Sequence, residues 1–327
     1  MTRAQSAPAR PLELGPGPEF DRIRGIAKVL GAQGAGLGDD CGLFREGEEF
    51  IALSTDVSVE GVHFRRDWIS PEEVGWRATA AAISDLAAEG AEPIGLLCAL
   101  TAPSTAAKPE LFQLMAGVGA AARAVGSSVL GGDLSTGPSW SVAVTVVGRT
   151  RVPVTRGGAK PGDGLWVTGH LGAARAALEA WRRGEQPLPG ARSRFAHPEP
   201  RIAAGLWLSR HGARAMIDLS DGLGGDAWHL AAASRAAVEI DLNSIPLAPE
   251  VNDAAGRMGV SPQQFAGEGG EDYELLVALP HRFDAADLFL RDCGIPLTRI
   301  GAVAEGSGVR FLLSGRAIEL RGFNHFG

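Results

Sequence analysis

The chain has 327 residues, of which 45% are hydrophobic and 21% charged, and its formal net charge is −7. The length favours two domains, and the balance of apolar and charged residues is typical of a globular protein with a substantial core. The net negative charge argues against a nucleic-acid binder, which usually presents a basic face. No apolar run is long enough to predict a membrane span.

The N-terminus and the cysteines bear on where the protein works. Residues 1–18 are rich in Pro and Gly and lack an apolar signal core, so we expect a flexible N-terminal tail. The three cysteines, Cys41, Cys98 and Cys293, are widely spaced and form no metal-binding motif. A disulfide framework is therefore not expected, and a reducing cytoplasm fits.

Residues 19–150 alternate between predicted helices and strands. The apolar spacing of 19–30 predicts an amphipathic helix, and 50–55 reads as a buried strand that ends at Asp56. Ser70, followed by Pro71 and two glutamates, predicts a helix that starts there and continues to about residue 89. Further along we expect a strand over 93–100, a helix over 108–125, a short strand ending at Gly131, and an alternating strand over 140–150.

A segment dense in Pro, Gly and basic residues, 151–164, predicts the domain boundary. The N-terminal domain then covers 19–150 and the C-terminal domain 151–327. In the second half we expect strands over 165–169, 215–220, 237–242 and 273–279, and helices around 171–183, 199–211 and 222–235. Both halves mix helices and strands, so the sequence predicts an α/β (α+β) protein with mixed sheets packed with helices.

Aspartates recur beside glycines and at the ends of predicted strands, where α/β folds place their sites. These acids are Asp39, Asp40, Asp56, Asp133, Asp218 and Asp221. Asp85 lies instead in a largely apolar helix, where a desolvated carboxylate needs a partner. Hydroxyls stand next to the acids at Ser54, Thr55 and Ser220. Any one of these aspartates is explained by a turn or a cap, but together they predict a site for several Mg²⁺ ions.

Clustered carboxylates beside glycine loops suit a nucleoside triphosphate held through Mg²⁺, with Arg156 facing the phosphates. The chain has neither the P-loop motif nor the protein-kinase motifs, so both of those classes are excluded. A two-metal nuclease or phosphatase also uses clustered acids and stays open at this point. Such enzymes need fewer acidic segments and often a histidine ligand.

Seven motifs occur in the order typical of thiamine-monophosphate kinases, which this chain resembles. They are GLGDDCGLF, LSTDVSVEGVHF, ISDLAAEGAEP, GGDLSTGP, TRGGAKPGD, IDLSDGL and GGEDYEL. The C-terminal RGFNHFG is also similar to the end of those enzymes, and the resemblance extends from about residue 19 to the C-terminus. It implies the two-domain fold of aminoimidazole ribonucleotide synthetase, which the wider superfamily shares.

The resemblance implies a function as well as a fold. The reaction is the ATP-dependent phosphorylation of thiamine monophosphate to thiamine diphosphate, by direct in-line transfer assisted by several Mg²⁺ ions. The acceptor is an ionised phosphate oxygen, so neither a covalent nucleophile nor a general base is expected. The resemblance further implies a homodimer in which the N-terminal domains pair their sheets, with ATP between the two halves of the chain.

Carried over position by position, the resemblance assigns three sets of residues. The Mg²⁺ ligands are Asp40, Ser54, Thr55, Asp56, Asp85, Asp133, Asp218 and Asp221. The nucleotide contacts are Gly132, Asp133, Arg156 and Ser220. The contacts to the thiamine substrate are Asp56, His63, Glu271 and Phe323.

Three positions depart from the family pattern or stay unassigned. Val62 stands where the family often has a polar residue, and Thr136 stands where an arginine can contact phosphate. Asp39 is interpreted as a turn residue or an acid behind the metal ligands. Two other functions remain alternatives: a different ATP-dependent synthetase of the superfamily, and a non-catalytic nucleotide-binding relative.

Overall fold

The computed structural model describes residues 12–323, and two mixed β-sheets with helices packed on them form its framework. The strands are β1 (Gly42–Glu46), β2 (Glu49–Val59), β3 (Glu92–Ala102), β4 (Val129–Thr136), β5 (Ser141–Thr150), β6 (Gly164–Thr168), β7 (Ala215–Asp218), β8 (Ala237–Asp241), β9 (Leu275–Leu279), β10 (Leu297–Ala304), β11 (Gly308–Leu313) and β12 (Arg316–Ile318). The helices are α1 (Pro18–Leu30), α2 (Pro71–Ala88), α3 (Lys108–Ala124), α4 (Ala173–Arg182), α5 (Pro189–Ala196), α6 (Ile202–Arg210), α7 (Leu223–Ser234), α8 (Val251–Met258), α9 (Pro262–Gly267) and α10 (Ala286–Cys293). The predicted mixed α/β class is confirmed.

Each sheet draws its strands from one half of the chain. The first has the order β1-β2-β5-β3-β4 and is antiparallel except for the β3–β4 pair. The second has the order β12-β11-β8-β10-β6-β9-β7 and is antiparallel except for the β11–β8 pair. Because the sheets divide between residues 150 and 164, this topology is compatible with the domain boundary expected from the sequence, which stays a prediction.

Helix α2 lies between the two sheets and contacts elements of both halves of the chain. Its start matches the sequence signal, because Ser70 caps it and Glu73 closes a capping box with the Ser70 amide. It packs closely on α3 through glycines. A Cβ on Gly75 would lie 1.9 Å from the carbonyl oxygen of Leu114, so a larger residue would force the helices apart. On its other side, α2 contacts β7, α5 and α6 of the second half.

The five-stranded sheet has one buried face and one face with exposed apolar side chains. Strand β5 alternates as the sequence predicts, with Val142, Val144 and Val146 buried on the face that α2 covers. The opposite face exposes Leu53, Val57 and Leu97, among other residues. An exposed apolar sheet face of this kind is typical of a surface that a partner covers.

Two predicted strand ends are wrong, and the difference matters for the site. Strand β2 continues past Asp56 to Val59, and β4 continues past Gly131 to Thr136. Both segments pair along their full length with neighbouring strands, which extends them beyond the local sequence signal. Asp56 and Asp133 are therefore mid-strand residues, and the side chain of each is assigned to one face of the sheet by its register.

The segment that precedes α1 contacts the second half of the chain. Residues 12–17 contain no helix or strand, yet Glu13 forms an ion pair with Arg235 and Gly15 lies against His229. The earlier part of the expected tail, residues 1–11, lies outside the described residues. Within residues 12–323, none of the helices combines the length and apolar character that crossing a membrane requires.

Candidate active site

A cavity of about 1050 Å³ opens between the two halves of the chain, and most of the predicted site residues line it. One end is bordered by aspartates from four separate segments. The other end is bordered by aromatic and basic side chains. The predicted site residues that line the cavity are Asp40, Ser54, Asp56, His63, Asp85, Arg156, Asp218, Ser220, Asp221, Glu271 and Phe323.

Three aspartates form the centre of the acidic end. Asp40 follows the glycine turn before β1, Asp85 lies on α2, and Asp218 ends β7. One carboxylate oxygen from each lies within 4.8 Å of the other two, although the residues are far apart in sequence. Asp40 and Asp218 are buried, while Asp85 is half-buried and lines the cavity. The fold therefore concentrates three carboxyl groups where an ion can reach them.

The pKa values at this end rise because the carboxyl groups are enclosed and close to one another. Burial, and then the charge of Asp40, raises the pKa of Asp218 to about 8. Burial raises the pKa of Asp85 well above its ordinary value, with further contributions from Asp56 and Asp218. Burial and Asp40 also raise the pKa of Asp56. Like charges held together without a counterion are unfavourable, so this end of the cavity favours a bound cation.

Arg156 balances part of this charge from the loop before β6. Its Nη2 donates a hydrogen bond of 2.5 Å to Oδ1 of Asp40, and its amide donates to Oδ1 of Asp39 at 2.9 Å. Burial opposes the charged form of Arg156, but Asp40 raises the guanidinium pKa above its ordinary value. Asp39 is enclosed beside Asp40, and burial raises its pKa to about 6. Asp39 thus lies behind Asp40 and fixes the Arg156 backbone, a role that its sequence position left open.

Strand β2 sends alternate side chains to opposite faces of the sheet, which separates three predicted ligands. Ser54 and Asp56 face the cavity, and the Ser54 hydroxyl donates to Oδ2 of Asp85 at 2.5 Å. Thr55 faces the exposed side of the sheet, where its hydroxyl lies 2.8 Å from that of Thr145 on β5. The structure therefore brings Ser54 and Asp56 to the acidic cluster and leaves the Thr55 side chain away from it.

The loop after β7 adds Ser220 and Asp221 to the cavity wall. The Asp221 amide donates to the carboxylate of Asp226 on α7 at 3.1 Å. Asp226 is buried, and burial followed by the charge of Asp221 raises its pKa well above the ordinary value. Asp226 was not singled out from the sequence, although it follows the same glycine-rich segment as Asp221. It holds the backbone of the loop that presents Ser220 and Asp221.

Aromatic side chains form the other end of the cavity. Trp68 stacks on Trp181 with ring centroids 5.3 Å apart and planes 3° apart, and Phe195 packs edge-on against Trp181 at 5.1 Å. His63 lines the same region, and its Nδ1 accepts a hydrogen bond of 3.0 Å from the Val59 amide. In the neutral ring this bond assigns the proton to Nε2. This end suits a flat, aromatic ligand group, and its two tryptophans were not singled out from the sequence.

Glu271 joins the two ends of the cavity through its backbone and its side chain. Its amide donates to the Ser220 carbonyl at 2.7 Å, and its carboxylate forms an ion pair with Arg77 of α2. Phe323 also lines the cavity, is 51% exposed, and donates its amide to the Asp221 carbonyl at 2.9 Å. The loop 220–221 therefore contacts both of these predicted substrate residues.

Two predicted site residues, Gly132 and Asp133, lie elsewhere, on the edge strand β4. Gly132 is level with Asp56 across β5 and β3, three strand spacings away, or about 14 Å. Asp133 is level with Ala99, whose side chain is on the exposed face. Gly132 is required by close packing, since a Cβ there would lie 1.8 Å from the Cys98 carbonyl oxygen. Within one chain, Asp133 is not part of the acidic cluster.

The acidic end fits a hard divalent cation by two observations. Its donors are carboxylate and hydroxyl oxygens, the ligand type that Mg²⁺ prefers. In addition, Oδ2 of Asp40 is buried and has no hydrogen-bond partner among residues 12–323. A buried carboxylate oxygen left unpaired is costly, and a bound cation would satisfy it.

Several known proteins are similar to this chain. Residues 38–150 match the family described as AIR synthase related protein, N-terminal domain. A thiamine-monophosphate kinase from Aquifex aeolicus is 35% identical over 318 residues, which cover 96% of this chain and 99% of that protein. Another from Escherichia coli K12 is 36% identical over 330 residues, with 94% and 95% covered.

Solved structures give the same result. The structure of AaThiL complexed with AMPPCP and TMP has a TM-score of 0.85 and 34% identity, and it covers 94% of this chain and 97% of that one. A HypE–HypF complex has a TM-score of 0.76 at 17% identity, covering 94% and 100%, and indicates a shared fold alone. The likeness extends over nearly the whole chain, so it includes both ends of the cavity.

Proposed function

The chain belongs to the thiamine-monophosphate kinase family, and from this premise we propose that it transfers the γ-phosphoryl group of ATP to thiamine monophosphate, giving thiamine diphosphate and ADP. The observation that carries the proposal is the single cavity that joins a carboxylate cluster to an aromatic wall. A related enzyme has been solved with AMPPCP and TMP, which supports the same pair of ligands here.

The acidic end would hold the metal ions that accompany the nucleotide. Asp40, Asp85 and Asp218 form the core of the set, and Ser54 and Asp56 border it. Asp221 borders the cavity beside Ser220. Bound Mg²⁺ would neutralise the phosphates of both substrates, which repel each other strongly in an enclosed site. This explains why a protein with net charge −7 can bind two anionic substrates.

The remaining residues would bind and orient the two substrates. Arg156 is held by Asp39 and Asp40 at the edge of the cavity, where its guanidinium can contact phosphate oxygens. Ser220 lies in the glycine-rich loop before α7 and can donate a hydrogen bond to phosphate. His63, Glu271 and Phe323 line the same cavity and would contact the rings of thiamine.

Direct in-line transfer needs no covalent intermediate, because the acceptor phosphate oxygen is already ionised at neutral pH. The protein's contribution is to align the two phosphates and to exclude competing water. We therefore expect no phosphorylated enzyme. Incubation with γ-labelled ATP in the absence of thiamine monophosphate should leave the protein unlabelled after denaturation, and stable label on the chain would contradict direct transfer.

A homodimer would give roles to the predicted ligands that lie outside the cluster. The exposed face of the five-stranded sheet carries Leu53, Val57 and Leu97, together with Thr55 and the edge residue Asp133. If two chains pair these faces, β4 of one chain can approach β2 of the other. Gly132, Asp133 and Thr55 would then act at the subunit boundary. A charged substitution such as Leu97→Glu should give a monomer in sedimentation experiments, and an unchanged dimer would exclude this face.

The test of the function measures products directly. The protein is incubated with ATP, Mg²⁺ and thiamine monophosphate, and thiamine diphosphate and ADP are separated by chromatography. We expect equal amounts of both products from the wild type. ADP formation that does not depend on thiamine monophosphate would favour a different synthetase of the superfamily. ATP binding without any product would favour a non-catalytic relative.

The proposed place of action is the cytoplasm. The cysteines give this modest support, since Cys41, Cys98 and Cys293 are all free thiols. Growth of a strain that lacks its own thiamine-monophosphate kinase, restored by this chain without any export signal, would test location and function together.

A further inference from the structure

Arg77 is a buried cation on a helix whose other buried residues are mostly small or apolar. It lies on α2 with 3% of its surface exposed, and it borders the cavity. Its Nη1 donates a hydrogen bond of 2.6 Å to the Phe195 carbonyl, and its guanidinium carbon lies 3.8 Å from the centre of the Phe195 ring. These contacts fix the guanidinium plane and leave Nη2 to face Glu271. A buried guanidinium in this position needs an anionic partner.

Glu271 is that partner, and contacts hold both its backbone and its side chain. Its φ is +67°, a left-handed conformation that is unusual for a residue other than glycine. The amide of Glu271 donates to the Ser220 carbonyl, which ties the residue to the loop of the acidic end. The Glu271 side chain is 27% exposed and borders the cavity, and its carboxylate pairs with Arg77.

Helix α2 carries both Arg77 and the cluster residue Asp85. They are eight residues apart, which corresponds to about 12 Å along the helix axis. Because an α-helix packed between two sheets is rigid, this separation is fixed. The helix therefore sets the distance between Arg77, with its partner Glu271, and the acidic cluster that contains Asp85.

We propose that Arg77 is a positioning residue that keeps the Glu271 carboxylate aimed at a hydrogen-bond donor on the ring of the acceptor substrate. This proposal rests on the proposed function and deepens it. Arg77 does not contact the reacting phosphates. The pair of Arg77 and Glu271 would favour an acceptor that has a flat ring with an N–H donor and a terminal phosphate. The distance between that ring and that phosphate must match the spacing between Arg77 and Asp85 on α2.

The test compares Arg77→Met and Arg77→Lys with a matched control, Arg192→Met. Like Arg77, Arg192 pairs with a glutamate: it donates hydrogen bonds of 2.7 and 2.9 Å to Glu73, which lies on α2. Arg192 does not line the cavity. Steady-state kinetics give KM for each substrate and kcat separately. We expect Arg77→Met to raise KM for thiamine monophosphate by about 10- to 100-fold. KM for ATP and kcat should change by less than about threefold.

The lysine variant separates positioning from general support of the fold. It keeps a positive charge beside Glu271 but cannot satisfy Phe195 and Glu271 with one planar group. We therefore expect it to recover part of the lost affinity for thiamine monophosphate. The proposal would be overturned if Arg77→Met raised both KM values and lowered kcat by similar factors. It would also be overturned if none of the three constants changed. If Arg77→Met is too unstable to purify, Arg77→Lys and Glu271→Gln provide the same comparison.

A double variant shows whether Arg77 acts through Glu271. If it does, then Arg77→Met combined with Glu271→Gln should bind thiamine monophosphate no more weakly than Glu271→Gln alone. Fully additive losses would contradict action through Glu271. Failure of the inference is distinct from failure of the proposed function, because in the latter case the wild type itself would make no thiamine diphosphate.

Discussion

Two carboxylate sites in this chain, Glu274 and the cluster around Asp85, differ in what neutralises them. Glu274 is fully buried, and its oxygens accept hydrogen bonds from Arg194 at 2.8 Å, Arg201 at 2.6 and 2.8 Å, and the Thr168 hydroxyl at 2.7 Å. Asp85 lies on the cavity wall and accepts from the Ser54 hydroxyl, and it forms no ion pair among residues 12–323. Its strongest electrostatic neighbours are the further aspartates Asp56 and Asp218.

The difference separates a structural acid from a ligand-binding one. An acid that the protein itself neutralises contributes to the fold, and its removal takes a buried anion away from the arginines that contact it. Acids gathered without enough cations destabilise the folded chain until something positive binds. The partners of a carboxylate, and not its burial, therefore indicate its role. Substitutions can change either Glu274 or the aspartate cluster and leave the other intact.

The largest expected effect is on catalysis at the aspartate cluster. Asp85→Asn removes a charge from the centre of the cluster and keeps the shape of the side chain. We expect the rate of thiamine diphosphate formation to fall by about 10²- to 10³-fold, because charge at the phosphates is no longer balanced. Thermal unfolding without metal should occur at the same temperature or higher. An unchanged rate at saturating Mg²⁺ would remove Asp85 from the ligand set.

A substitution at Glu274, which arginines neutralise, should instead lower the stability of the fold. Glu274→Gln removes the buried anion that Arg194 and Arg201 share and leaves Arg201 only the exposed Glu199, so we expect the free energy of unfolding to fall by about 3 kcal/mol. Urea denaturation measures this loss. The control is Glu239→Gln, at an exposed ion pair with Arg310, which should cost less than about 1 kcal/mol. A loss at Glu274 no larger than at Glu239 would contradict the structural role.

The pH dependence of stability should distinguish the cluster with and without metal. The pKa of Asp218 is raised from 3.8 to about 8, and that of Asp39 from 3.8 to about 6. A raised pKa means that the folded state binds protons more tightly than the unfolded state. The stability linked to these protons is complete below about pH 4 and is lost as the pH rises to about 8.

The measurement is the melting temperature across that range, first with a chelator and then with Mg²⁺. We expect the chelated protein to lose stability between about pH 4 and pH 8, and Mg²⁺ to restore more of it at pH 8 than at pH 5. Asp218→Asn should flatten the curve measured in chelator. An equal effect of Mg²⁺ at every pH would show that the ion does not bind these carboxylates.

The smallest effect concerns the hydroxyl that contacts the cluster. Ser54→Ala removes the hydrogen bond to Asp85, which corresponds to about 1 kcal/mol, or roughly a fivefold loss in kcat/KM. Ser209→Ala is the control, since this serine also donates a hydrogen bond, to the Val152 carbonyl at 2.7 Å, but does not line the cavity. Similar kinetic losses in both variants would assign Ser54 a general structural role.

Local signals in the sequence predicted the elements well where a cap or an alternation defined them. Helix α2 starts at the predicted cap, and β5 shows the predicted alternation. The ends of β2 and β4 were wrong because pairing with neighbouring strands extends them beyond the apolar core of each segment. The small elements α5, α8, α9, α10 and β10 to β12 were not predicted, because tertiary packing stabilises them.

In the site too, residues that lie in short motifs could be predicted from the sequence, whereas contacts between distant residues could not. The acids of the cluster could be predicted because each lies in a short motif with glycine or a hydroxyl. The pairing of Arg77 with Glu271 could not, since 194 residues separate them. One signal was present: an arginine inside the apolar run of α2 requires a buried anion. The register that places Asp133 on the exposed face depends on β3 and could not be read from β4 alone.

The central claim, that the clustered aspartates Asp40, Asp85 and Asp218 bind divalent cations, is tested most directly by counting bound metal. Mn²⁺ can replace Mg²⁺ and is detected by electron paramagnetic resonance, with and without ATP. We expect the wild type and Glu274→Gln to bind equal numbers of Mn²⁺ ions, and Asp85→Asn to bind fewer or to bind them much more weakly. Equal binding by Asp85→Asn and the wild type would contradict the account.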